Sequence, residues 1–88
     1  MEVLDISDFM EDGRVKEASF FERIDTFDWP IYKDKVVLIR GCETAIIPPW
    51  ALMVVAARLA GVARRIQYGN EHSSVKVFRR PAEGASAE

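Results

Sequence analysis

The sequence is poor in the residues that carry most site chemistry. It holds one cysteine and one histidine in 88 residues. A lone cysteine excludes an internal disulfide framework and fits a reducing compartment, so a cytoplasmic protein is expected. Positive charge is not in excess: 12 Lys and Arg stand against 14 Asp and Glu, for a net charge of -2. Nucleic-acid binding through a basic surface is therefore not expected. A Gly-rich phosphate loop, a Ser nucleophile elbow and a CxxC pair are all lacking. The longest uncharged stretch, Thr44 to Ala57, falls short of the roughly 20 apolar residues that a membrane-spanning helix needs, and Arg58 interrupts it. The opening MEVLDISDF carries acids and no basic leader, so it does not read as a signal peptide. Neither a membrane nor a nucleic acid is expected as a partner.

What is present reads as one small domain. The length suits a single domain, and the 49% hydrophobic and 30% charged residues are an ordinary globular balance. Val3 to Phe9 places Leu4 and Ile6 on one face at period two and predicts a half-buried strand. Glu11-Asp12-Gly13 is a turn signal. In ASFFERIDTFDWP, Ser19 and Glu22 have capping-box spacing, and Phe20, Ile24 and Phe27 form one helical stripe. Pro30 predicts that this helix ends near Trp29. Val36 to Ile39 is a continuous apolar run, which predicts a strand covered on both faces. Pro48-Pro49 opens a helix that runs to about Ala60, with Gly61 as its C-terminal cap. Arg65 to Tyr68 and Val75 to Arg79 predict two further strands. The order is β-α-β-α-β-β: an α/β domain over residues 1–80, its mixed sheet built on a parallel strand–helix–strand core. Residues 81–88 read as a disordered tail.

The second helix has more apolar surface than such a domain can cover. Trp50, Val54 and Ala57 lie on one side, and Leu52, Val55 and Leu59 on another. Met53, Ala56 and Ala60 lie between. Only Arg58 is charged. A helix that is apolar nearly all round is buried nearly all round. A homodimer is therefore expected, with Trp50, Met53, Val54 and Ala57 at its interface. Met53 and Val55 flank different sides of the helix and both suit a charge placed as a probe of that interface.

Several spaced motifs resemble a known family. They are Trp29-x-x-Tyr32-x-Asp34-Lys35-Val36-Val37, Gly41-Cys42, Ile47-Pro48-x-Trp50-Ala51, Tyr68-Gly69, and Ser73-Ser74-Val75-x-Val77-Phe78-x-Arg80. Together they resemble the bacterial domain-of-unknown-function family 2480 from about Leu4 to Arg80. Members of that family are longer and carry the strand, Gly-Cys, Pro, helix, strand, Tyr-Gly element twice, where this chain has it once. The resemblance implies that a two-copy protein mimics a dimer of a one-copy protein. It implies no activity.

The candidates for chemistry are Cys42, Thr44 and His72. Cys42 follows a parallel strand and precedes a helix, and His72 follows the neighbouring strand. Both therefore belong at the carboxyl edge of the sheet, where α/β proteins usually bind ligands. A nearby helix N-terminus lowers a thiol pKa and attracts anions. The competing reading is plain packing for Cys42, since free cysteines are commonly buried, and helix capping for Thr44. Pro48 and Pro49 weaken an anion site there by removing two N–H donors. Arg64-Arg65 and Arg79-Arg80 read as solvated strand flanks. No residue is assigned a catalytic or metal-ligating role, and no cofactor is implied. The reading is a non-catalytic, self-associating interaction or regulatory module with a possible unidentified protein partner. The alternative is a small thiol- or metal-dependent enzyme that uses Cys42 and His72 at a cleft shared between subunits.

Overall fold

A computed structural model describes residues 1–41 and 46–81. Its elements are β1 (Glu2–Asp5), α1 (Glu17–Thr26), β2 (Val36–Arg40), α2 (Pro49–Ala60), β3 (Arg65–Gly69) and β4 (Ser74–Arg79), with short 3-10 helices at Ile6–Phe9 and Trp29–Tyr32. The order is the β-α-β-α-β-β expected. The sheet runs β1-β2-β3-β4. β1 and β2 are parallel, β2 and β3 are parallel, and β3 and β4 are antiparallel.

This topology decides where the helices lie. Two successive right-handed crossovers that step the same way across a sheet put both helices on one face. Phe20 and Ile24 of α1 and Ala51, Val55 and Leu59 of α2 accordingly share one core cluster with Leu4, Val37, Ile39 and Ile66. The expectation that β2 is covered on both faces holds, since Val37, Leu38 and Ile39 are all buried. Leu38, on the second face, is fully buried although it lies outside that cluster. Val3 and Gln67 flank it in register on the two neighbouring strands.

Local chemistry explains the other departures. β1 ends at Asp5 instead of continuing to Phe9, because the Asp5 carboxylate accepts hydrogen bonds from the Ser7 N–H at 3.0 Å and the Ser7 hydroxyl at 2.7 Å. That closes a 3-10 turn and drives Phe9 into the core. The capping box does not form. α1 starts at Glu17, with Lys16 as an N-cap that makes no side-chain bond. Ser19 lies inside the helix and donates to the Glu11 carboxylate at 3.2 Å. The helix also stops three residues short of Trp29. Phe27 turns to extended backbone and packs on Trp29 and Phe9, with ring centroids 4.6 and 5.3 Å away. Trp29 Nε1–H donates to the Ile24 carbonyl at 2.9 Å and satisfies one of the carbonyls freed at the helix end. Gly61 is the C-terminal cap of α2 as expected, its N–H reaching the carbonyls of Arg58 and Leu59, although its ordinary right-handed backbone does not require glycine. Of the residues read as a disordered tail, 82–88 lie outside the described residues.

Candidate functional site

The first candidate region is the carboxyl edge of the sheet, where β2 and β3 end and the β3–β4 turn begins. Arg40, Gly41, Tyr68, Asn70, Glu71 and His72 line an open depression of about 440 Å³ there. The parallel register sets Arg40 beside Asp5. Arg40 donates from Nε and Nη2 to Asp5 Oδ2 at 3.2 and 3.0 Å, and from Nη1 to Glu71 Oε2 at 2.7 Å. The two bonds to Asp5 fix the guanidinium plane. Burial alone would raise the Asp5 pKa, but the bonds from Ser7 and Arg40 outweigh it and hold the carboxyl below its ordinary value. Glu71 is likewise lowered, by its own backbone N–H and by Arg40. Arg40 is raised, first by its hydrogen bonds to Asp5 and then by Glu71.

Two glycines shape this edge. Gly69 has φ +146°, and a Cβ there would stand 2.3 Å from the Ser73 carbonyl oxygen. Only glycine fits so close a return of the chain. Asn70 closes the turn: its side-chain oxygen accepts from the N–H groups of His72 and Ser73 at 2.8 and 2.9 Å. A Cβ on Gly41 would meet the Tyr68 hydroxyl at 3.0 Å. The Gly-Cys and Tyr-Gly motifs thus touch across the β2–β3 pair.

The expected ligand residues fare differently. Cys42 and Thr44 lie outside the described residues. His72 is exposed in the turn beside Glu71. Among the described residues, no group of three or more His, Cys, Asp and Glu side chains is arranged to hold a metal ion. Arg40, Asp5 and Glu71 were not legible as a set, since 35 and 31 residues separate the bonded pairs. Chemically, this edge is an ion-pair network of one guanidinium and two carboxylates that ties the β3–β4 turn to β1.

The second candidate region is the flank of α2 that faces β4. Ile39, Leu52, Met53, Ala56, Tyr68 and Val77 line a wholly apolar groove of about 210 Å³. Two of these are exposed, Met53 at 70% and Val77 at 50%, and Val75, two residues before Val77 on β4, is 63% accessible. Of the four residues expected at an interface, Met53 and Ala57 are exposed, and Val54 is half-buried against the core. Trp50 is turned to α1, where its ring stacks on Phe21 at 5.7 Å and meets Phe20 edge-on at 5.3 Å. Val55 is fully buried within its own chain, so a charge there would break the core and is no probe of an interface. Val75 pairs with Tyr68, so alternation puts Val77 on the helix side with it, and the β-bulge in the β3–β4 pair brings Phe78 to that same side opposite Ile66.

The sequence matches the model of the family described as Protein of unknown function (DUF2480) over residues 1–82. The chain belongs to that family. Its spaced motifs have clear structural duties, since Gly41, Tyr68 and Gly69 meet at the carboxyl edge. No curated protein and no solved structure matches the chain. Among the described residues, no helix is long and apolar enough to cross a membrane.

Proposed function

We propose that this chain is a non-catalytic interaction module that acts as a cytoplasmic homodimer, with a second copy seated on the face formed by α2 and β4. The observation that carries this reading is the apolar groove lined by exposed Met53 and Val77, with exposed Val75 next to it on β4. Monomers rarely expose contiguous apolar patches larger than several hundred Å². Burying about 400 Å² of such surface is worth ~10 kcal/mol before association costs. β4 is an edge strand, so the same face adjoins a row of backbone groups that take no partner within the sheet. A second copy covers both features in one self-complementary contact around a two-fold axis. The cytoplasmic placement rests on the single cysteine.

Hydrogen exchange tests this reading. Amides of residues 74–79 should exchange more slowly at high protein concentration than at low, while amides of α1 should not change. Exchange at residues 74–79 that is independent of concentration would contradict self-association through this face.

A further inference from the structure

The β3–β4 hairpin gathers two arginine pairs that are far apart in sequence. Arg65 and Arg79 are direct cross-strand partners. The Arg80 N–H donates to the Arg64 carbonyl at 2.8 Å. With Val36, these four arginines line a depression of about 280 Å³ at the opposite edge of the sheet from His72. Like charges set directly opposite on neighbouring strands destabilise the pair. Among the described residues, no carboxylate lies within ion-pair distance of any of the four, whereas Lys16, Arg40 and Arg58 all have acidic partners. Glu2 and Asp34 line a neighbouring depression with Arg64 but do not reach ion-pair distance.

Two of the four are further constrained. Arg80 donates through Nε to the Ala63 carbonyl at 3.3 Å and through Nη2 to the Ala60 carbonyl, and its guanidinium lies 5.6 Å from the Phe78 ring. Its position is thus fixed by the end of α2. Arg65 Nε is buried and has no hydrogen-bond partner among the described residues. A buried charged donor without an acceptor carries its full desolvation penalty.

We propose that this cluster binds a small phosphorylated anion, with Arg65 and Arg79 gripping phosphate oxygens and Arg80 holding the rim. Guanidinium forks match the spacing of phosphate oxygens, and a multiply charged anion relieves the repulsion between Arg65 and Arg79. The depression is lined by arginines and one valine, with no aromatic ring on which a base could stack. That chemistry selects a compact phosphate or diphosphate group over a nucleic-acid strand.

The test is calorimetric titration of the full chain with inorganic pyrophosphate, against sodium chloride at matched ionic strength and against a single-stranded oligonucleotide. Saturable binding of pyrophosphate is expected. Arg65→Gln and Arg79→Gln should each weaken it by about tenfold, the loss of a charge-assisted contact. Arg14→Gln, on a surface turn remote in sequence, should leave it unchanged. Thermal melts without ligand supply a second readout. Arg79→Gln should hold or raise the melting temperature, because it removes a like-charge pair. The proposal is overturned if pyrophosphate has no more effect than chloride. It is also overturned if the oligonucleotide binds more tightly than pyrophosphate, if the Arg65 and Arg79 variants bind like the wild type, or if Arg79→Gln lowers the ligand-free melting temperature.

Discussion

Gly69 shows how a single position fixes the site edge. Its φ of +146° and the 2.3 Å approach of the Ser73 carbonyl leave no room for a side chain. Gly69→Ala should lower stability by about 2–4 kcal/mol in urea denaturation, through strain and steric displacement together. Gly41→Ala should have a smaller effect, because its neighbour is the end of the Tyr68 side chain and not backbone. Asp5 gives a pH prediction. Its folded pKa lies below its ordinary value of 3.8, so its contribution to stability is fully present above that value. The contribution is lost as pH falls through the lower folded pKa. Asp5→Asn should therefore destabilise the protein at neutral pH and flatten the acid limb of its stability curve. An acid limb equal to that of the wild type would show that Asp5 does not control it. At this scale the turn at Gly69 was legible from Tyr-Gly followed by a polar run. The Asp5–Arg40–Glu71 network was not, because it depends on strand register, and no local pattern in β1 or β2 specifies which residues of the two strands face each other.

The elements were legible where one periodicity dominated. β2, α2, β3 and β4 follow the apolar runs and turn signals within a residue or two. β1 and α1 were misread at their ends, and in each case a side chain competed with regular backbone. The Asp5 carboxylate ends β1, and packing of Phe27 on Trp29 ends α1. For α2, composition announced an apolar surface on every side, but not which side the parent chain covers. Ala51, Val55 and Leu59 form the stripe that meets the sheet. Leu59→Ala should cost about 2–5 kcal/mol, since the side chain is fully buried. Met53→Glu should change the stability of the isolated fold by less than about 0.5 kcal/mol, as a surface substitution does. Urea titration at low protein concentration separates the two. A large loss from Met53→Glu under those conditions would place Met53 in the core.

The whole molecule combines a one-sided helix layer with a sheet whose β4 edge is thinly covered. Every residue of β4 except Phe78 is exposed. That distribution follows from topology. Both crossovers step toward β3, and the chain then adds β4 by a hairpin, with no further helix among the described residues to lie over it. The apolar groove beside Met53 is the place where that helix would have been. The central claim is that a second copy fills it. Light scattering on the wild type and on Met53→Glu tests this most directly. The wild type should have twice the 10.0 kDa chain mass at micromolar concentration and above, and Met53→Glu should return to the single-chain mass while remaining folded. A wild type that stays at the single-chain mass at high concentration would contradict the account, as would a Met53→Glu variant that remains a dimer.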